Sequence, residues 1–285
     1  MTIRPDSLAA AHVLRHAITI GPDGEQERIE LGIAEEKPLT LIFNEFHVHA
    51  VMMVTPLDLH DFILGFVLTE KIIASPSDLI SCHIDRLDNQ LAAHILIPGA
   101  DFSRLIRRGQ RFLTGSSSCG LCGVTDLDDI ATDPPNLPAH PVPLAAIKKA
   151  LAALPDQQVL NQKVHMVHAA AWASPDGVIH YVREDVGRHN ALDKLIGVLS
   201  QSPREPGRGF CLLTSRCSYD MVEKALTLGI STLVAISSPT DRAIQVARKA
   251  DMTLIGNARP DRLAIFCGAH RLVKPEPEAV TMVGV

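Results

Sequence analysis

From about residue 165 onward, short apolar runs alternate with amphipathic stretches of helical length. Residues 210–213, 232–236, 252–255 and 262–266 read as strands, while residues 187–199, 218–228 and 239–249 carry the spacing of helices with one apolar face. Upstream, residues 165–173 and 178–183 flank Ser174-Pro-Asp-Gly177, the composition of a hairpin turn. Strands separated by helices need crossover connections, so this alternation predicts a layered α/β sheet with parallel neighbours over residues 144–285.

The first half has a different texture. Residues 38–43 and 48–54 read as strands around Asn44-Glu-Phe46. A helix is expected to open at Thr55-Pro56, with Thr55 as N-cap, Pro56 in the first helical position and Asp58 in the first turn. Leu59, Phe62, Ile63, Phe66 and Val67 would form its buried face, and strands near 81–85 and 91–97 would complete a small α+β domain over residues 28–112. Residues 1–27 show no convincing period and are expected to be a mobile tail. Residues 113–143 read as a Cys-x-x-Cys loop followed by a linker stiffened by Pro134, Pro135, Pro138, Pro141 and Pro143. A helix over 144–154 should end at Pro155.

Composition removes several function classes. Aromatic residues make up 4% of the 285, too few for a base-stacking platform. The formal charge of −5 argues against a general affinity for nucleic acid. No stretch approaches the roughly 20 apolar residues that span a bilayer, and residues 1–21 lack a signal-peptide core. The expectation is a cytoplasmic protein without a membrane partner. Six cysteines are too sparse for a disulfide scaffold, so in a reducing compartment they should be free, metal-bound or catalytic.

Ligands of open α/β sheets collect beyond the carboxyl ends of the strands. Those ends read Thr214-Ser215-Arg216, Ser237-Ser238 and Gly256-Asn257-Ala258-Arg259, with Arg262 close by. Small polar residues beside helix N-termini, together with arginines, suit an anion such as a nucleotide diphosphate. The competing reading has Ser215, Ser218 and Ser238 simply capping helices. No Gly-x-Gly-x-x-Gly fingerprint or Walker A loop is present, which disfavours a standard dinucleotide or ATP site.

Gly115-Ser-Ser-Ser-Cys-Gly-Leu-Cys-Gly123 is a small-residue loop that leaves the Cys119 sulfur accessible, with main-chain N–H groups free to stabilise a thiolate. Its single Cys-x-x-Cys fits sulfur relay better than a zinc knuckle, which wants two pairs, or a thioredoxin-like redox pair, which wants a helix N-terminus. All three remain open on spacing alone. Cys82, Cys211 and Cys267 sit in or beside apolar strands and read as packed side chains, and packing is also favoured for Cys217. Asp185, His189 and Asp193 recur at helical spacing and form either a metal site, a general base or, more commonly, a hydrogen-bond network. In His168-Ala169-Ala170 the glutamate that a zinc deaminase needs is replaced by Ala170, and no Pro-Cys-x-x-Cys follows, so deamination is disfavoured and His168 reads as structural.

In order along the chain, Glu36-Lys-Pro-Leu-Thr-Leu, Ile63-Leu-Gly-Phe-Val-Leu-Thr-Glu-Lys-Ile-Ile73, Ser118-Cys-Gly-Leu-Cys-Gly123 and His168-Ala-Ala-Ala-Trp172 are followed by Glu184-Asp-Val-Gly-Arg-His-Asn-Ala-Leu-Asp-Lys194, Ser215-Arg-Cys-Ser-Tyr-Asp-Met-Val-Glu-Lys224 and Pro260-Asp-Arg262. This series resembles the formate dehydrogenase accessory sulfurtransferases, the FdhD family, from about residue 35 to 272. The resemblance implies an enzyme that takes persulfide sulfur from a cysteine desulfurase and passes it to the bis(molybdopterin guanine dinucleotide) molybdenum cofactor, a bound substrate, so activating formate dehydrogenase. It maps the persulfide onto Cys119, with Cys122 assisting, and the cofactor-binding stretch onto Asn257, Ala258, Arg259, Pro260, Asp261 and Arg262. Ser215, Arg216 and Ser238 would complete the pocket. It also implies a homodimer and a three-layer core similar to cytidine deaminase. Two positions depart from the family pattern: an aromatic is expected near Asn257, and less charge than Asp241-Arg242. A non-catalytic cofactor chaperone and a thiol-disulfide oxidoreductase stay as rival readings.

Overall fold

A computed structural model of the chain describes residues 8–87, 89–108, 137 and 140–273. The Cys-x-x-Cys loop, with Cys119 and Cys122, lies outside the described residues, as does most of the expected linker.

Residues expected within a tail form a hairpin instead: β1 (His12–Ile20) pairs antiparallel with β2 (Gln26–Ala34). Leu14, Ile18 and Ile20 occupy one face of β1, and Val13 and Ala17 the other, so the polar–apolar alternation that marks a strand is blurred. Next come β3 (Lys37–Phe43), β4 (His47–Val54), helix α1 (Leu59–Thr69), β5 (Ser81–Leu87), β6 (Gln90–Leu96) and helix α2 (Gly99–Arg107). The strands form a four-stranded sheet in the order β4-β3-β6-β5, with β3 and β6 parallel. Leu59, Phe62, Ile63, Phe66 and Val67 of α1 are buried and share one core with Leu39, Leu41, Phe43 and Ile95 of the sheet. Each such side chain contributes on the order of 1.5–3 kcal/mol by leaving water.

The start of α1 differs from expectation. The helix opens after Asp58, and Thr55 is wholly buried without capping it. The Thr55 N–H donates to Asp185 Oδ2 at 3.0 Å, and its Oγ1 accepts from the Val186 N–H at 3.1 Å. Thr55 is thus committed to the other half of the molecule.

That half continues with β7 (Val142–Pro143), α3 (Leu144–Gln157), the short α4 (Asn161–Val164), β8 (His168–Ala173), β9 (Ile179–Asp185), α5 (Arg188–Ser200), β10 (Phe210–Leu213), α6 (Tyr219–Thr227), β11 (Thr232–Ala235), α7 (Asp241–Lys249), β12 (Thr253–Gly256), β13 (Ala264–Cys267) and β14 (Leu272–Val273). Pro155 does not end α3 but sits in its last turn, where the N–H that it lacks costs one helical hydrogen bond. The main sheet runs β13-β12-β11-β10-β8-β9. Only β10, β11 and β12 are parallel neighbours; β8, β9 and β13 pair antiparallel, so the sheet is mixed. Alternate residues serve opposite faces. Trp172, Cys211, Leu213 and Leu233 share a core with residues of α5, α6 and α7, whereas Ala171, Phe210, Leu212 and Val234 share one with α3.

The two halves meet where α1 crosses α5. A Cβ at Gly65 would stand 1.7 Å from the Asp193 carbonyl oxygen, and one at Gly197 would stand 1.9 Å from that of Asp61. Only glycine lets the two backbones approach this closely.

Candidate functional site

The three expected strand ends do converge. Beyond β10, the Cys217 N–H donates to the Ser238 carbonyl at 3.3 Å, and the Thr240 N–H returns to the Cys217 carbonyl at 2.9 Å. Beyond β11, Ser238 Oγ donates to Asn257 Oδ1 at 2.8 Å, and the Asn257 N–H donates to the Ser237 carbonyl at 3.1 Å. Asn257 adopts φ 49°, a left-handed conformation that asparagine tolerates better than most residues. Arg259 Nη1 reaches back to the carbonyls of Ile236 and Ala258 at 2.7 and 2.8 Å. Paired main-chain bonds between Arg259 and Arg262 close Pro260 and Asp261 into a tight turn.

Arg216, Ser238, Asn257, Arg259, Pro260, Asp261 and Arg262 are exposed along this edge. Ser215 and Ala258 are buried, and Ser215 Oγ donates to the carbonyl of Arg216. Those two shape the loops, leaving their neighbours at the surface. The side chain that caps a helix here is Thr240, accepting from the Ala243 N–H at 3.2 Å; Ser218 occupies the N-cap of α6 without a side-chain cap bond.

The expected row of Asp185, His189 and Asp193 does not share a helix face, because Asp185 closes β9 and α5 begins only at Arg188. The three side chains take separate partners. Asp185 pairs with Lys194 at 2.7 Å, both fully buried, and Lys194 Nζ also donates to the carbonyls of Thr55 and Glu184. Asp193 pairs with Lys224 at 2.9 Å and accepts from Thr69 Oγ1 at 2.8 Å, which ties α5 to α1 and α6. Glu184 accepts from the N–H groups of Leu160 and Asn161, both at 2.8 Å. Burial would disfavour the Lys224 charge, but Asp193 and Glu70 outweigh it and raise its pKa. This segment holds the halves together; a network, rather than a metal site, is what forms. Among the described residues no group of three or more His, Cys, Asp or Glu is arranged to hold a metal ion.

His189 is the exception in that segment. It contacts Asp220 across the first turns of α5 and α6. Burial alone would raise the Asp220 carboxyl, yet its hydrogen bond and charge interaction with His189 bring it down to about 2. His168 stands opposite Asp185 on β8, and the hydrogen bonds between Ala169 and Thr214 place it beside the loop after β10. Burial, then Arg188, with smaller contributions from Arg216 and His189, lower its pKa and favour the neutral ring. His168 read as structural from the sequence; it lies at the carboxyl edge of the parallel strands because β8 runs antiparallel to β10, a pairing that no local motif reveals.

The described cysteines are poor nucleophiles. Burial pushes Cys82 and Cys217 up to about 12 and raises Cys211 and Cys267 as well. Their packing roles are as expected.

The fold is a mixed α/β body with a six-stranded sheet whose strand-end loops are polar and basic. The structure matches a crystal structure described as a formate dehydrogenase accessory protein from Desulfotalea psychrophila, with a TM-score of 0.74 over 92% of this chain and 100% of that one; at 22% identity this likeness concerns the fold. The FdhD/NarQ family model matches residues 34–273, and the chain belongs to that family. Among curated relatives, the sulfur carrier protein FdhD of Bordetella petrii is 38% identical over 94% of this chain and 95% of its own. Its namesake from Cupriavidus necator is 42% identical over 84% and 83%, and that from Xanthomonas campestris 40% over 95% and 94%.

Proposed function

We propose that the chain is a sulfur carrier in formate dehydrogenase maturation, an enzyme that accepts sulfur as a persulfide on Cys119 from a cysteine desulfurase and delivers it to the bis(molybdopterin guanine dinucleotide) molybdenum cofactor. The observation that carries the reading is elimination among thiols. Four of the six cysteines are described, and burial raises the pKa of all four, which suppresses the thiolate needed for attack on sulfur. Cys119 and Cys122, in a glycine- and serine-rich run, are the remaining candidates, and the relatives named sulfur carrier protein FdhD agree with that chemistry. In the loading step the Cys119 thiolate attacks the sulfane sulfur of the donor persulfide. The donor S–S bond breaks, its cysteine leaves as a thiolate, and one new S–S bond forms on Cys119, without net oxidation or reduction. In the release step the Cys122 thiolate attacks Cys119 Sγ, the S–S bond of the persulfide breaks, the outer sulfur leaves at the sulfide level for the molybdenum, and a thiol reductant then reopens the Cys119–Cys122 disulfide.

The strand-end edge is the proposed cradle for the guanine dinucleotide arms. Arg216, Arg259 and Arg262 supply the positive charge, Ser238, Asn257 and Asp261 the polar contacts, and Ser215, Ala258 and Pro260 the loop shape. Helices on both faces of the sheet support a cytidine-deaminase-like layering. A homodimer working in the cytoplasm completes the proposal; no helix among the described residues is long and apolar enough to cross a membrane.

Cys119→Ala should fold, yet fail to accept isotope-labelled sulfur from desulfurase and cysteine. Undiminished labelling of that variant would refute the reading. Intact enzyme maturation by Cys119→Ala/Cys122→Ala would favour the chaperone instead.

A further inference from the structure

The carboxyl edge of the main sheet has a second half, beside the cradle at β11 and β12. β9 runs in the same sense as β10, so α5, like α6, starts at this edge, and the amino end of β8 lies between them. The hydrogen bonds between Ala169 and Thr214 hold β8 against the loop that carries Arg216. Helix α5 opens on Arg188 and His189, and the contact between His189 and Asp220 brings it alongside α6. Four basic groups therefore gather around one point: Arg188, Arg216 and His189 all act on His168 and disfavour a proton on its ring. β8 and β12 are three strand steps apart, which is roughly 14 Å at the usual spacing.

The acids nearby are committed elsewhere. Asp220 is buried against His189. Asp185 is spent on Lys194, Asn190 and the N–H groups of Thr55 and Gly187, and Glu184 on those of Leu160 and Asn161. Among the described residues no carboxylate pairs with the Arg216 side chain, and the half-buried His168 ring makes no hydrogen bond. Like charges crowded onto a half-buried imidazole are unfavourable until an anion joins them. The first turn of α5 opens at the same place and adds the positive end of its dipole.

We propose that His168, Arg188, His189 and Arg216 form a second phosphate subsite, which takes the pyrophosphate of one dinucleotide arm while the turn from Asn257 to Arg262 takes that of the other. The inference rests on the bis-dinucleotide substrate proposed above. Arg188 and Arg216 supply forked donors that match phosphate oxygens, His168 supplies a single ring N–H, and Asp220 is a positioning residue for the His189 ring. A substrate with two identical arms calls for two such subsites, and the edge offers them on opposite sides of β10. One chain should therefore hold two nucleoside diphosphates.

Equilibrium dialysis of guanosine diphosphate (GDP) against the full chain counts the subsites. Two GDP per chain are expected, both displaced by inorganic pyrophosphate and both weakened as salt rises from about 50 to about 300 mM. His168→Gln/Arg188→Gln should retain one GDP, with affinity at the other site down about tenfold or more, and Arg259→Ala should weaken the site that the double variant keeps. One GDP per chain in the unaltered protein, untouched by His168→Gln/Arg188→Gln, would overturn the proposal. So would a second GDP that the double variant keeps, or binding of pyrophosphate without GDP, which would assign the subsite to free phosphate. The count on the unaltered chain needs no variant, so misfolding cannot hide the result. A single GDP that is lost in His168→Gln/Arg188→Gln but kept in Arg259→Ala would uphold this subsite and refute the turn from Asn257 to Arg262 as a cradle. Failure of Cys119 to take up labelled sulfur would sink the sulfur-carrier reading and leave the GDP count to decide the subsite.

Discussion

The seam between α1 and α5 and the carboxyl edge of the main sheet use charged residues in opposite ways. At the seam, Lys194 and Asp185 are fully buried and Lys224 meets Asp193, while Gly65 and Gly197 bring the two backbones into contact. At the edge, Arg216, Asn257, Arg259 and Arg262 are exposed on loops held by main-chain hydrogen bonds. Buried charges are costly to leave unpaired and therefore specify a geometry, whereas exposed charges at strand ends cost little and remain free to meet an anion. The charged run at residues 184–194 thus serves chiefly to join the halves. Density of ionisable residues is a poor guide to chemistry in this fold.

The largest effects are expected at the glycines of the seam. Gly65→Ala should cost more than about 4 kcal/mol in denaturant unfolding, because its new Cβ has no room beside Asp193 unless the helices part. Asp185→Ala leaves the Lys194 ammonium buried beside carbonyls alone and should cost about 3–5 kcal/mol. Arg216→Ala at the edge should change stability by less than about 0.5 kcal/mol while weakening guanosine diphosphate binding measurably. Equal destabilisation by Asp185→Ala and Arg216→Ala would erase the contrast.

Asp220, which contacts His189 at the start of α6, gives a smaller, pH-dependent effect. The folded carboxyl, at about 2, lies below its ordinary 3.8, so its contribution is present above pH 3.8 and is lost as pH falls through about 2. That contribution is about 2 kcal/mol. Asp220→Asn should therefore lower stability at neutral pH by about that amount and flatten the acid limb of a stability–pH curve. The smallest effects lie at helix ends. Thr240→Ala should cost about 1 kcal/mol by removing the α7 cap, and Lys71→Gly should gain about 1 kcal/mol. Thermal melts would show the two opposite shifts.

Much of the fold was legible because its signals are local. The strand at 210–213 and the buried face of α1 follow from apolar spacing, and the hairpin turn at 174–177 from its composition. The failures share a cause: long-range partners override local preference. Thr55 has the chemistry of a helix cap but is taken by Asp185 and Val186. Asp185 has helical spacing to His189 but belongs to β9. The convergence of the strand-end loops was legible because β10, β11 and β12 run parallel. His168 was missed as a neighbour of that edge because its strand runs the other way.

The proposed sulfur transfer depends on the Cys119 thiol. Peptide mass mapping under non-reducing conditions, after incubation with desulfurase and cysteine, should find a single added sulfur on the peptide containing Cys119 and none on Cys82, Cys211, Cys217 or Cys267. Added sulfur on any of those four, or a Cys119–Cys122 disulfide with no bound sulfur at any stage, would contradict it.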